Sequence, residues 1–390
     1  MQKTFLFLFS FLFFITLSAQ QNLLSNEAEI SVLTISPGNS LYEAFGHSAY
    51  RIFDRKNKID DVYDYGVFYF NTPNFYLKFA QGKLNYSIGK NDFYQFYQTY
   101  VHYNRKIKYQ VLNLSQSQKQ TLYNFLLNNY KPENRNYLYE FFFDNCATKI
   151  KDVTTIAVNK TIEFKLPKNY KEKTFRSLIY ENVNKNSWES LGIDVALGSV
   201  IDKKATPEEQ MFLPENIYQF FEVATINDGN TPLVKTSKTL FTQKETIKKD
   251  SFFTSPLFVF GIIAFFIIFI TYKDYKSNRQ SKWLDITLFS ITGLVGILIL
   301  LLWFATDHTG THQNYNLLWA CAINLFVIGQ FFKKRISIWF IKYLKLLVIL
   351  LCLLTLHWSM GVQVFAIGLI PLLIALFIRY IFLIKHYNKQ

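Results

Sequence analysis

The chain has 390 residues, 50% of them apolar and 18% aromatic, with 42 Lys and Arg against 28 Asp and Glu. Its last third is a series of near-continuous Phe, Ile and Leu runs, which excludes a protein soluble throughout and points to membrane spans. Many of the surplus cations flank those runs, and no basic stripe accompanies a nucleic-acid motif. The net charge of +14 is therefore a topology signal, and no nucleic-acid partner is expected.

Met1-Gln2-Lys3 precedes an apolar run from Phe5 to Leu17, and Ser18-Ala19-Gln20 supplies the small residues that a signal peptidase needs. Residues 1–19 are read as a cleaved signal peptide, since the run is short for a span. Residues 20–236 mix charge, aromatics and turn formers as a globular domain does. A stretch rich in Thr and Lys over 237–251 reads as a linker, and 252–390 as a transmembrane bundle of about five helices.

Within the globular domain, Gly46 permits close backbone approach, and the residues after His47 alternate as a strand does. Asp60–Asn71 reads as strand-rich, and Ser115–Tyr130 as an amphipathic helix with Leu122, Phe125 and Leu126 on one face. Cys321 and Cys352 fall in predicted spans, so Cys146 has no disulfide partner in its own domain. A lone cysteine is most often inert and buried. Here, however, an aromatic run, Phe141-Phe142-Phe143, leads into the capping residues Asp144-Asn145 and then a helical pattern through Ile150, Val153 and Ile156. That places Cys146 in the first helical turn, where unpaired amides and the positive end of the helix dipole favour a thiolate.

A thiolate nucleophile usually works with a histidine, and the domain offers His47 and His102. His47 is the better candidate for the base, because His102 sits among aromatics in Tyr100–Asn104. Asp64 is a candidate to orient the imidazole, with a solvated or turn-capping aspartate as the alternative. Tyr42, Ser48 and Asn145 are candidates for oxyanion or substrate contacts, beside an amide at the start of the helix. The spacing of these residues matches no metal-ligand pattern, so neither a metal nor another cofactor is expected.

Five candidate spans follow: Phe252–Tyr272, Trp283–Ala305, Leu317–Phe332, about Leu344–Ser359, and Val362–Leu383. Lys273, Lys276, Arg279 and Lys282 separate the first two; Lys333, Lys334 and Arg335 separate the third and fourth; Arg379, Lys385 and Lys389 lie at the end. Loops Thr306–Asn316 and Met360–Gly361 carry no Lys or Arg. The positive-inside bias then predicts a multi-pass protein of the bacterial inner membrane, its N-terminal domain periplasmic and its C-terminus cytoplasmic. In the first of these outer loops, His308, His312 and Asn314 are candidates for a headgroup contact or a lid, a plain polar connector being the alternative. Trp303 and Trp319 read as interfacial anchors, and Asn324 and Gln330 as interhelical hydrogen-bond partners.

Taken together, Gly46-His47-Ser48, Asp144-Asn145-Cys146, the run Trp188–Gly198, Met211-Phe212-Leu213-Pro214-Glu215 and the membrane loop Asp307–Trp319 resemble the bacterial DUF4105 family. That family is also described as the periplasmic N-terminal domain of a lipoprotein N-acyltransferase. The resemblance implies an α+β papain-like fold of the circularly permuted NlpC/P60 type, histidine strand first and cysteine helix after it. It implies Cys146 as nucleophile and His47 as base. The implied reaction moves a fatty acyl chain from a phospholipid donor to the N-terminal amine of a diacylated lipoprotein acceptor. Two rival readings stay open from the residues alone: a cysteine amidase or peptidase acting on cell-wall peptide, and a non-enzymatic membrane scaffold or sensor in which Cys146 is packed.

Overall fold

The computed structural model describes residues 23–244, 251–333 and 335–389. The expected signal peptide, the linker residues 245–250 and Lys334 lie outside the described residues.

The N-terminal part is built on an antiparallel sheet. β1 (Glu29–Ile35), β2 (His47–Asp54) and β3 (Ile59–Val67) form a meander. After the short helix α1 (Phe75–Ala80) comes β4 (Asn85–Asp92), and α2 (Phe93–His102) leads to β5 (Ile107–Leu112). α3 (Gln116–Tyr130) precedes β6 (Asn136–Leu138) and α4 (Cys146–Ala157). Three further helices follow, α5 (Phe175–Tyr180), α6 (Trp188–Ala196) and α7 (Pro214–Val223), then a two-strand ribbon, β7 (Thr225–Ile226) with β8 (Thr231–Pro232), and finally β9 (Val234–Phe241). The strand order is β6-β4-β3-β2-β1-β5-β9.

Alternation along the strands divides the core in two. Ile30, Val32, Tyr50 and Ile52 face α4 and α7, where they pack with Ile150, Val153, Ile217 and Phe221. Leu33, Ile35, Ala49 and Val62 face the other way, toward Phe96 of α2. Tyr50 fastens α4 to the sheet, its hydroxyl donating to the Ile150 carbonyl at 2.6 Å. Ser115 caps α3 in a capping box with Gln118, and the predicted apolar face is buried at Leu122 and Leu126.

The sheet extends further than expected. Residues 237–241, assigned to the linker from sequence, belong to β9, which pairs with β5 from Val234 to Phe241. This strand closes the edge of the sheet and is largely exposed and polar, so it carries no apolar period to read.

Among the described residues the C-terminal part holds four helices long and apolar enough to span a membrane: α8 (Pro256–Ser277), α9 (Lys282–Phe304), α11 (Ile338–Ser359) and the segment Ile367–Tyr387 that contains α12 (Ile370–Tyr387). Between α9 and α11 the expected span Leu317–Phe332 is broken. Segments Thr309–Leu318 and Ile323–Phe332, the latter including α10 (Ile323–Val327), meet at 41°, and counted as one span they make a fifth. The cause lies on α9. A Cβ on Gly296 would stand 2.2 Å from the Ala320 carbonyl, and one on Gly293 would stand 2.6 Å from the Leu325 amide nitrogen. The bare glycine face lets the break at Ala320–Ala322 and the following α10 pack closely on α9, shielded from lipid. Asn324 bonds across it, donating to Thr292 at 2.8 Å. Two expectations change here. Trp319 is buried, donating to Asn316 at 2.8 Å, so it is no interfacial anchor. Arg379, read as a cation at the cytoplasmic end, is fully buried between Asp274 and Asp285, at 2.7 and 2.6 Å.

Candidate active site

His47 opens β2, and Gly46 sets its entry. The φ of Gly46 is +82°, and a Cβ there would stand 2.7 Å from the Ile35 carbonyl, so a side chain would be strained on both counts. Asp64 stands on β3 opposite Ala49. Because side chains alternate, His47, Ala49 and Asp64 share one face, and His47 and Asp64 are diagonal neighbours. Their side chains meet, with His47 Nε2 3.1 Å from Asp64 Oδ2. Asn91 donates to the other carboxylate oxygen at 3.5 Å. On β4, a Cβ at Gly89 would lie 2.7 Å from Asp64 Oδ1, so the absence of a side chain there makes room for the carboxylate.

Cys146 is the first residue of α4. Asn145 caps that helix: its Oδ1 accepts from the Ala147 and Thr148 amides at 2.8 and 2.9 Å. Its Nδ2 donates to the carbonyls of Phe141 and Phe212, at 2.7 and 2.8 Å. This side chain is therefore fully engaged in holding the cysteine loop. It does not face substrate as the sequence reading allowed. Its cap takes up two of the helix's free amides and leaves that of Cys146 itself without an intrahelical acceptor.

The His47 imidazole and the Ser48 backbone amide both act on the Cys146 sulfur. Burial pushes the Cys146 thiol up, but the His47 charge and hydrogen bond outweigh it and leave the thiol below its ordinary value. Burial likewise pulls His47 down, yet Tyr100, the Cys146 charge and the Asp64 hydrogen bond reverse this and hold the imidazole well above its ordinary value. Both directions favour the charged forms of the two side chains.

Other expected residues fall elsewhere. Ser48 contributes its amide, while its hydroxyl is buried and has no hydrogen-bond partner among the described residues. Tyr42 is 68% exposed at the rim, its ring 6.3 Å from Phe68. His102 packs against Tyr103 at the end of α2. Tyr100 and Arg105 were not singled out from sequence. The Tyr100 ring lies 6.4 Å from that of His47, and the Arg105 guanidinium sits 4.9 Å from the Tyr100 ring centre. Arg105 is buried, held by the Ser36 carbonyl at 2.8 Å and Glu43 at 3.4 Å, and its charge acts on Cys146. Nothing in the local pattern around these two residues marks them.

The outer membrane loop turns out to be a clamp. Asn314 is fully buried and donates to the Val195 and Ala196 carbonyls at 2.8 and 3.1 Å, so it is not available to a headgroup. Asn316 donates to the Asp194 carbonyl at 2.8 Å, and the Gly198 amide to the Gly310 carbonyl at 2.9 Å. His308 Nε2 lies 2.8 Å from the Phe79 carbonyl, whereas the His312 side chain is exposed. The run Trp188–Gly198 and this loop are thus two halves of one interface.

A sheet-rich domain clamped onto a helical part with four to five apolar helices defines a multi-pass membrane protein, with the bonded His47 and Asp64 and the nearby Cys146 outside its spans. Residues 17–180 match the family model described as the Lnb N-terminal periplasmic domain. Residues 247–390 match the one described as the Lnb transmembrane domain. Both parts of the chain are therefore similar to Lnb domains. No curated protein and no solved structure matched.

Proposed function

We propose that this protein is a lipoprotein N-acyltransferase that carries a fatty acyl chain on Cys146 from a phospholipid to the N-terminal amine of a diacylated lipoprotein. The proposal is supported by the 3.1 Å His47–Asp64 contact beside Cys146, whose thiol is held below its ordinary value, on a domain clamped to a membrane bundle. An ester at the membrane surface is what such a site can reach. Similarity to Lnb domains supports a lipoprotein-modifying role. The order of histidine strand before cysteine helix agrees with a circularly permuted papain-like arrangement.

In the first half-reaction the Cys146 sulfur adds to the ester carbonyl, and His47 gives its proton to the leaving glycerol oxygen, releasing a lysophospholipid. The amide of Cys146, first in the helix, would receive the oxyanion. In the second, the lipoprotein amine attacks the thioester, His47 takes the amine proton, and the thiolate returns as the amide forms. The protein lies in the bacterial inner membrane, with the thiol site in the periplasm and the C-terminus in the cytoplasm, as the positive-inside bias requires.

Mass spectrometry of lipoprotein N-termini tests this, in a host that lacks its own N-acyltransferase. Expression of the chain should convert diacylated to triacylated N-termini. Unchanged diacylated N-termini, with the protein present in the membrane, would exclude the transfer.

A further inference from the structure

A run of aromatic rings leads from the membrane loop toward the turn that precedes Cys146. Residues 65–84, which include α1, contain no Asp or Glu and two cations, Lys78 and Lys83. Phe70, Tyr76, Leu77 and Phe79 are 62%, 79%, 58% and 52% exposed. Adjoining apolar side chains left this bare on a folded surface mark a contact with something else.

What they contact follows from where α1 is pinned. The Asp307 amide donates to the Gln81 carbonyl at 2.9 Å, and His308 Nε2 lies 2.8 Å from the Phe79 carbonyl. Both residues lie within four positions of Phe304, the last residue of the spanning helix α9. α1 therefore sits at the membrane–water boundary, where aromatic rings are favoured and lysines complement phosphate headgroups. From there the rings run inward in contact. Phe79 stacks on Phe75 at 6.4 Å, Phe75 meets Phe68 at 5.9 Å, and Phe68 meets Tyr86 at 5.4 Å. Tyr86 stacks on Tyr139 at 4.4 Å, and Tyr139 adjoins Glu140, whose backbone pairs with Asp144 two residues before Cys146.

We propose that α1 is a lip inserted into the bilayer, with Phe70, Tyr76 and Phe79 in the leaflet on the soluble-domain side, and that the rings behind it lead a phospholipid acyl chain to Cys146. The path rests on phospholipid being the acyl donor; the insertion of the lip does not.

The test uses the full-length protein in vesicles of phosphatidylethanolamine and phosphatidylglycerol. A photo-crosslinking benzoylphenylalanine replaces Tyr76, Phe79 or, as the comparison, Ile156, which is 43% exposed near the far end of α4. Phospholipid adducts at 76 and 79 should exceed those at 156 at least tenfold; equal yields would overturn the lip. A Tyr76→Ser, Phe79→Ser double variant, changed only at exposed positions, should load acyl from vesicle phospholipid onto Cys146 at least tenfold more slowly. Unchanged loading would overturn the path. If the unsubstituted protein forms adducts at the probes yet never carries acyl, the lip stands and the acyltransfer reading fails.

Discussion

Thr309, five residues beyond the end of α9, donates a 2.8 Å hydrogen bond to one carboxylate oxygen of Glu140, whose other oxygen accepts the amides of Phe142 and Phe143 at 2.8 and 2.7 Å. The membrane loop thus reaches the turn that delivers Cys146. Thr309→Val keeps the shape and removes the donor, at a cost of about 1.5–3 kcal/mol for a hydrogen bond to a charged group. Hydrogen exchange of the 140–148 amides, followed by mass spectrometry on the full-length protein, should accelerate, with exchange in β1 unchanged. Identical exchange in both proteins would mean that the loop merely abuts the turn.

Alkylation of Cys146 by iodoacetamide reports its ionisation. Because the thiol is held below its ordinary value, the rate should persist as pH falls below the usual thiol range and decline only when acid protonates the sulfur. His47→Gln removes the stabilising charge and leaves burial, which raises the thiol. At neutral pH the rate should then fall at least tenfold, since each pKa unit is a factor of ten in thiolate. A profile that does not move would separate the two side chains.

Asp64 is argued to act through His47, so it is a positioning residue, and its variants should be graded. Asp64→Asn keeps an oxygen acceptor for Nε2 but not the charge, and Asp64→Ala loses both. Gly89→Ala would press a methyl group against the carboxylate. All three should lower kcat with KM little changed, by about tenfold for Asn and about a hundredfold for Ala, or 1.4 and 2.7 kcal/mol at 1.36 kcal/mol per decade. Equal activity of the Asn and Ala variants would show that the hydrogen bond to His47 contributes nothing.

The parts of this molecule legible in its sequence are those that leave a periodic or chemical trace. Cys146 at a helix start was legible because capping residues and an aromatic run frame it, and His47 because Gly46 and the alternating strand do. The outer-loop polar residues were visible as a cluster, but their use was not. Asn314 and Asn316 bond to backbone carbonyls of α6 more than a hundred residues away, and such partners are set by tertiary packing alone. Arg105 and Tyr100 were illegible for the same reason. The broken third span hid behind its composition, since hydropathy counts apolar residues and cannot register that Gly296 makes room for the break at Ala320–Ala322 and Gly293 for α10 beyond it.

In the proposed mechanism the acyl chain passes through sulfur. Full-length protein in vesicles of acyl-labelled phospholipid, with no lipoprotein acceptor, should gain one acyl mass that hydroxylamine releases. Peptide mapping should place it on Cys146. Cys146→Ser, nearly isosteric but far less acidic, should carry at least a hundredfold less label while inserting and folding normally. Unlabelled wild-type protein, or equal label on Cys146→Ser, would contradict the covalent mechanism and return α4 to the role of a packing helix.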